Sequence, residues 1–240
     1  MKLNQFLFRE SHLLLLVFCA LVVIAFWLSY FSALLKQENF RMHIHGGLMI
    51  CWCIMLVLQP YLIKTKKKKA HQLVGKSSYF LVPFIAFSTI DLFKYRVNQL
   101  PALNEIDVFF TASVLIALAV FLIFYGLAVY FRKNAAVHGR YMLCTVFPMF
   151  TAVFDRIIDN YFGGVLHLFP KVGTETVVQP FGLLLGDILL LALSVWDWRS
   201  HKRLDVFPLA LLIHLGYHYA VMNFYKFSFW QEFSLWFYKI

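Results

Sequence analysis

Seven apolar stretches alternate with short polar segments along the chain, and each stretch predicts a membrane-spanning helix. A helix needs about 20 mainly apolar residues to cross a hydrocarbon core about 30 Å thick, and each stretch is close to that length. The runs are too continuous for the alternating strands of a membrane barrel. The predicted spans are Leu13–Leu35, Ile44–Ile63, Ser77–Lys94, Val108–Phe131, Tyr141–Ile158, Phe181–Trp198 and Val206–Phe224.

The composition favours a bilayer over a soluble fold. Of the 240 residues, 61% are hydrophobic and only 14% are charged, whereas soluble domains carry about 25% charged residues. A helix packed in a soluble core would also need a polar stripe, and Leu13–Leu35 has none. We therefore expect an all-α membrane protein in which residues 1–224 form one seven-helix transmembrane bundle.

Residues 225–240 follow a different pattern. Aromatic residues recur every three or four positions, and polar residues occupy the positions between them. This pattern predicts an amphipathic helix that lies in the membrane interface. The alternative is a helix that binds a membrane protein partner. The aromatic positions are Phe227, Trp230, Phe233, Trp236 and Phe237.

Basic residues are concentrated in alternate connections between the predicted spans. By the positive-inside rule these connections face the cytoplasm, so the amino terminus lies inside and the carboxyl terminus lies outside. We interpret the lysine-rich segment 64–69 as a topogenic loop beside anionic lipid headgroups, not as a nucleic-acid site. The basic residues are Lys2 and Arg9; Lys64, Lys66, Lys67, Lys68, Lys69 and Lys76; Arg132, Lys133 and Arg140; and Arg199, Lys202 and Arg203.

Three histidines are the first candidates for cofactor binding. His214 and His218 are one helical turn apart, so both imidazoles lie on one face of the last predicted span, a geometry that chelates metals. His45 begins the second span beside Gly46 and Gly47, where another helix or a flat cofactor can approach closely. We predict that His45, His214 and His218 are metal or haem ligands in the outer half of the bundle.

Acidic residues on other spans lie in the same half. Asp91, Asp155 and Asp187 lie inside predicted spans, where an ionisable side chain is costly and is therefore a functional candidate. We predict Asp91 or Asp155 as a general base. Two interpretations stay open, an outward-facing polar cavity or a set of salt bridges at helix ends. The second involves Asp91, Lys94, Arg96, Asp155, Arg156 and Asp159.

Three histidines precede spans on the opposite, cytoplasmic face. His71 comes before the third predicted span, His138 before the fifth and His201 before the seventh. Of these, His71 and His138 are candidates for cofactor binding on the inner side. The alternative is a hydrogen-bonded histidine at the level of the lipid headgroups.

Several short motifs together resemble a widespread group of bacterial polytopic membrane proteins. The resemblance covers roughly the second to the seventh span and implies a seven-span protein of the bacterial inner membrane, without implying an activity. This chain has Asp205-Val206-Phe207-Pro208 where the group often has His-Pro. The matching residues are His45-Gly46, Trp52, Leu56, Gln59, Leu62, His71, Gly75, His138-x-Arg140-x-Met142 and Trp196-Asp197-Trp198-Arg199.

The layout of the histidines is similar to that of two known classes. Transmembrane cytochromes of the b561 type hold one b-type haem near each membrane face, which implies His45 with His214 or His218 outside and His71 with His138 inside. Zinc-dependent seven-helix receptors and ceramidases use a His, an Asp and an HxxxH motif, which implies His45, Asp91 and His214-x-x-x-His218.

Three functions follow from these patterns. The first is a redox protein that binds b-type haem and transports electrons. The second is a membrane enzyme that uses Zn or Fe to act on a lipid, with Asp91 or Asp155 as the base. The third is a non-catalytic carrier, receptor or assembly factor in which the acidic residues line a substrate path. We take the redox protein as the most concrete prediction.

Overall fold

The computed structural model describes residues 3–100 and 102–239, and it is almost entirely helical. Five helices are long and apolar enough to cross a membrane, and a sixth crossing is added if a bent helix pair counts as one span. The prediction of an all-α membrane protein is confirmed at this level. The five candidate spans are Phe40–Lys64, Lys68–Val97, Glu105–Tyr130, Ala135–Tyr161 and Gln179–His201.

The chain divides into two compact units, and the first comprises residues 1–92. Its described helices are α1 (Leu3–Arg9), α2 (Ser11–Ala25), α3 (Phe40–Lys64) and the greater part of α4 (Lys68–Val97). The first two helices form the bent pair, with an angle of 63° between them. Both pack against α3.

The first predicted span is wrong in its second half. The helix ends at Ala25, and the chain continues in turns through Phe26–Tyr30 and a short 3-10 helix, Phe31–Ala33. Tyr30 folds back onto α3, where its ring fills the space beside Gly46. A Cβ atom at Gly46 would lie only 2.8 Å from the Tyr30 ring. The sequence has no glycine or proline near Ala25 that would signal the end of the helix.

The second unit comprises residues 93–240. Two short strands, β1 (Lys171–Val172) and β2 (Glu175–Thr176), form an antiparallel hairpin in the connection between α7 and α8. In the helical core, α8 packs against α7 and α9, and α5 packs against α6 and α9. The helices are α5 (Glu105–Tyr130), α6 (Ala135–Cys144), α7 (Phe150–Tyr161), α8 (Gln179–His201), α9 (Phe207–Asn223) and α10 (Ser228–Lys239).

The predicted fifth span is interrupted in its middle. Helices α6 and α7 together form one candidate span of 27 residues, but a 3-10 turn over Phe147–Met149 separates them. Pro148 lies in this turn and has no amide hydrogen to donate to the preceding helix. The prediction of a continuous helix over Tyr141–Ile158 is therefore wrong at this position.

The last helix packs against the beginning of α5. Tyr238 Oη donates to the Asp107 carbonyl oxygen at 3.0 Å and lies 2.6 Å from Thr111 Oγ1. Trp230 Nε1 donates to the Val108 carbonyl oxygen at 3.3 Å. These contacts hold one side of α10, while Trp236 on its other side is 58% exposed.

Candidate functional site

Helix α8 carries a line of buried polar side chains along one face. Its buried face contains Gln179, Asp187, Ser194 and Asp197, together with small and apolar residues. From Gln179 to Asp197 this line extends about 27 Å along the helix axis, close to the thickness of a hydrocarbon core. Polar groups from α6, α7 and α9 meet α8 at three levels along this line.

At the middle level, Asp187 binds both histidines of α9. The Nδ1 atom of His214 lies 2.7 Å from one carboxylate oxygen, and the Nδ1 atom of His218 lies 2.6 Å from the other. When Asp187 is ionised it can only accept hydrogen bonds, so both imidazoles donate from Nδ1. We call Asp187, His214 and His218 the Asp187 cluster.

The His214 ring is completely buried and closely packed. Phe147 from the broken span and Tyr217 from the next turn of α9 contact it edge to face, with centroid distances of 6.2 and 5.6 Å. Gly186 makes the close approach to α8 possible, because a Cβ atom there would lie 2.6 Å from His214 Cε1. His214 Nε2 has no hydrogen-bond partner, whereas the His218 side chain is 25% exposed.

Toward the amino-terminal end of α8, a second polar group lies between α7 and α9. The hydroxyls of Thr151 and Tyr217 are 3.2 Å apart, and both residues are buried. Asp155 lies one turn further along α7 and is 7% exposed, and its Oδ1 atom has no hydrogen-bond partner. This part of the structure therefore has an acidic group in an environment shielded from water.

At the carboxyl-terminal end of α8, Arg140 and Asp197 form a completely buried ion pair. The Nε and Nη2 atoms of Arg140 donate to separate oxygens of Asp197, each at 2.6 Å. Arg140 Nη1 donates to the Ala136 carbonyl oxygen at 2.8 Å. His201 Nδ1 lies 3.2 Å from Asp197 Oδ1, and its side chain is partly exposed. Two parallel hydrogen bonds make this pair the tightest polar link between α6 and α8.

The other predicted residues of the second unit have local partners. His138 Nδ1 donates to the Ala128 carbonyl oxygen at 2.8 Å, which ties α6 to α5. Arg156 Nη1 donates to the Ala152 carbonyl oxygen of its own helix. For His138, the headgroup-level interpretation in the sequence analysis fits this contact.

In the first unit, two pairs of polar side chains join α3 to α4. His45 Nδ1 lies 3.2 Å from Ser88 Oγ, and Arg41 forms a salt bridge to Asp91 at 3.0 Å. The salt bridge agrees with the helix-end alternative for Asp91. His71 lies in the first turn of α4 and is partly buried. The first unit thus contains His45, Asp91 and His71, and the second unit contains the Asp187 cluster.

The donor set fits imidazole ligation only in part. A metal-bound histidine commonly donates its second nitrogen to a carboxylate, as both histidines of the Asp187 cluster do. However, the two Nδ1 atoms converge on Asp187, so the Nε2 atoms of the pair do not converge on one ion. Among residues 3–100 and 102–239, no group of three or more His, Cys, Asp or Glu side chains could hold a metal ion.

Sequence reasoning missed the partners that hold this site together. The sequence places Asp187 inside a predicted span, but it does not show that Asp187 pairs with both His214 and His218. Arg140 belongs to a motif in a predicted connection and Asp197 to a motif in the predicted sixth span, and nothing in one sequence shows that the two motifs meet. One feature of the sequence could have indicated the pairing. Gly186 and Asp187 are adjacent in the predicted span that precedes the HxxxH motif.

These observations define an all-helical membrane protein whose second unit contains ionisable side chains buried along one helix face. No protein-family model matches the chain, and neither does any curated protein or any solved structure.

Proposed function

We propose that the chain is a proton-translocating membrane protein of the carrier class. The observation that carries the proposal is the Asp187 cluster, in which one buried carboxylate bridges two imidazoles on the facing helix. Carboxylates and imidazoles buried at membrane depth are characteristic of proton relays. Histidine can accept and release a proton near neutral pH without a large change in structure.

The position of the cluster along α8 supports the same proposal. Asp187 lies between Asp155 and Tyr217 toward one end of the helix and Asp197 with His201 toward the other. Ionisable and hydroxyl groups thus follow one another over about 27 Å of a single helix face. Protons would enter or leave at His218 and His201, the two partly exposed histidines of the line.

The interrupted span beside the cluster is a second supporting feature. Carriers commonly place their ion sites where a membrane helix is discontinuous, since unwound backbone and helix ends line the site. Here the turn over Phe147–Met149 separates α6 from α7, and Phe147 contacts the His214 ring. Helix α7 can therefore change its angle to α6 without disturbing a continuous hydrogen-bond ladder.

We further infer a seven-span topology in a bacterial inner membrane, with the amino terminus in the cytoplasm. Helix α9 has 17 residues and spans about 26 Å, at the lower limit for a crossing. The bent pair α1 and α2 would provide the first crossing. Helix α10 would then lie in the outer interface, where its exposed Phe229 and Trp236 suit the headgroup level.

Proton flux into liposomes tests the proposed function. The purified protein is reconstituted with a pH-sensitive dye inside the vesicles, and a potassium gradient with valinomycin sets the membrane potential. We expect potential-driven acidification that Asp187→Asn abolishes. The control is Glu175→Gln, an exposed acid in the β-hairpin, which should leave the flux unchanged. Equal fluxes for wild type and Asp187→Asn would contradict the proposal.

The haem-binding redox protein predicted from the sequence is the second candidate. It is favoured by one observation, namely that Asp187 holds Nδ1 of His214 and leaves its buried Nε2 without a partner. A carboxylate-bound imidazole of this kind is typical of metal ligands. Gly186 packs against Nε2, because a Cβ atom there would lie 2.8 Å from it, so iron ligation through Nε2 would require the ring to move away from α8. A bound haem would supply one-electron chemistry, and Asp187 would fix the orientation of the ligating ring.

An absorption spectrum with metal analysis distinguishes the second candidate from the first. Haem binding predicts a Soret band in the purified protein and its loss in His214→Ala, with Tyr219→Phe as a control on the exposed side of α9. A colourless, iron-free preparation from haem-replete cells would exclude the redox proposal. Stoichiometric zinc or non-haem iron would instead favour the metal-dependent lipid enzyme.

A further inference from the structure

Two buried oxygen atoms without hydrogen-bond partners lie on the neighbouring helices α7 and α8. They are Asp155 Oδ1 and Gln179 Oε1, on residues that are 7% and 6% exposed. Leaving such an acceptor unpaired in a buried site is energetically unfavourable. Two unpaired acceptors from neighbouring helices therefore indicate a ligand that offers hydrogen-bond donors or positive charge.

The packing of α7 on α8 places Asp155 and Gln179 on neighbouring turns of the two helices. Gly182 lies directly against α7, since a Cβ atom there would be 2.9 Å from Thr151 Cα. Asp155 is one turn after Thr151 on the same face of α7, and Gln179 is one turn before Gly182 on the same face of α8. Because the two helices follow each other as an antiparallel pair, these turns are neighbours.

Two hydroxyl oxygens complete the group. Thr151 Oγ1 lies on the same face of α7 as Asp155, and Tyr217 Oη approaches it from α9 at 3.2 Å. Ser113 of α5 also interacts with the Tyr217 hydroxyl. Carboxylate, amide and hydroxyl oxygens are hard ligands, which suit a small cation.

The local charge favours a monovalent cation. Arg156 follows Asp155 in the sequence and is directed about 100° away around the helix, where it donates to the Ala152 carbonyl oxygen. It lies close to Asp155, Asp159 and Arg96. The charged groups that act on Asp155 itself are Arg156 and Asp159. Together with Asp155 these two carry one net negative charge when all are ionised, and one positive charge from a ligand neutralises it.

We propose that Asp155, Gln179, Thr151 and Tyr217 form a binding site for a small monovalent cation, either Na⁺ or a primary ammonium group. The site lies between α7, α8 and α9, closer to the amino-terminal end of α8 than the Asp187 cluster is. Its occupation is a binding property that can be measured whether or not the protein translocates protons.

Equilibrium binding of radioactive Na⁺ to the full-length protein in lipid nanodiscs tests the proposal. We expect saturable binding that Asp155→Asn abolishes and that Gln179→Leu weakens about tenfold or more, since one ligand oxygen is lost. Competition by methylammonium, measured on the wild type, identifies the ammonium alternative. Glu175→Gln, in the exposed hairpin, is the matched acidic control and should bind as the wild type does.

Three outcomes separate this proposal from its rivals. If neither Na⁺ nor methylammonium binds saturably, or if Asp155→Asn binds Na⁺ unchanged, the oxygens hold water and the site is excluded. If Asp155→Asn fails to fold, Gln179→Leu and Thr151→Val decide, because neither removes a charge. Asp187→Asn should retain Na⁺ binding even where it abolishes proton flux, so the two proposals fail independently.

Discussion

At the scale of single residues, Gly186 determines how closely His214 can approach α8. A Cβ atom at this position would lie 2.6 Å from His214 Cε1 and 2.8 Å from its Nε2, closer than packed atoms tolerate. In Gly186→Ala the imidazole must therefore move away from Asp187. We expect a loss of about 1–3 kcal/mol in unfolding free energy, the usual range for overpacking a core, and a loss of proton flux.

Thermal unfolding in detergent and flux in liposomes measure these effects. Gly216→Ala on α9 is the matched control, because nothing lies within 4 Å of the added methyl group. That variant should melt at or slightly above the wild-type temperature, since alanine favours a helix over glycine. Equal melting temperatures for the two alanine variants would show that the His214 ring is not held as described.

The buried ion pair supports a second prediction at this scale. Asp197→Asn leaves the Arg140 guanidinium with 0% exposure and no carboxylate partner. Breaking a buried pair in this way costs about 3–5 kcal/mol. Asp205→Asn is the control, because Asp205 pairs with Arg203 at a surface where its side chain is 51% exposed. Such an exposed pair contributes only about 0–1 kcal/mol.

Unfolding in a mixed detergent with sodium dodecyl sulfate compares the two asparagine variants. A double variant that replaces Arg140 with Met and Asp197 with Leu should recover much of the loss, since it removes both charges together. If Asp197→Asn were no less stable than Asp205→Asn, the pair would not be buried.

The sequence alone predicts which residues are unusual here but not their contacts. The spacing of His214 and His218 places them on one helix face, and the structure agrees. Their common partner is Asp187, and that pairing depends on how α8 turns relative to α9. Gly186 permits the contact, yet one sequence does not distinguish a packing glycine from an ordinary one.

At the scale of helices, apolar periodicity predicts where most helices lie and fails where they bend. The predicted Phe181–Trp198 corresponds to α8 and the predicted Val206–Phe224 to α9. The stretch Leu13–Leu35 continues apolar beyond Ala25, so hydropathy cannot show that the helix stops there. In the fifth span, Pro148 does not by itself predict a break. Membrane helices also tolerate proline, as α3 does Pro60 and α4 does Pro83.

The docking of α10 gives a prediction at the scale of one element. Tyr238→Phe removes the hydroxyl that contacts the Asp107 carbonyl oxygen and Thr111 Oγ1. We expect α10 to open more often, by a free energy of about 0.5–1.5 kcal/mol, while the rest of the protein keeps its stability. Hydrogen exchange over residues 228–239 measures this local opening.

Tyr219→Phe is the control for the tyrosine substitution. Tyr219 is 59% exposed on α9, so the loss of its hydroxyl should leave exchange in α10 unchanged. Equal exchange in both variants would mean that the Trp230 hydrogen bond and the stacking of Phe237 on Phe93, and not the Tyr238 hydroxyl, hold the helix.

At the scale of the whole molecule, the distribution of charge predicts the orientation of the chain, and the predicted number of crossings depends on α9. The connection between α3 and α4 carries exposed lysines, whereas the β-hairpin between α7 and α8 carries Glu175. Three candidate spans separate these two connections, namely α4, α5 and the interrupted α6 and α7. If each of these crosses the membrane, the connections lie on opposite faces, and the positive-inside rule predicts that the lysines are in the cytoplasm.

Cysteine labelling tests this topology in intact cells. The four native cysteines are replaced, and single cysteines are introduced at Lys67, Thr174 and Lys226, which are all exposed. A maleimide that cannot cross the membrane should label the cysteine at 174 at once and the cysteine at 67 only after permeabilisation. If α8 and α9 both cross the membrane, the cysteine at 226 should also be labelled at once, like the cysteine at 174. Labelling of 226 only after permeabilisation would mean that α9, with 17 residues, does not cross and that six spans or fewer are present.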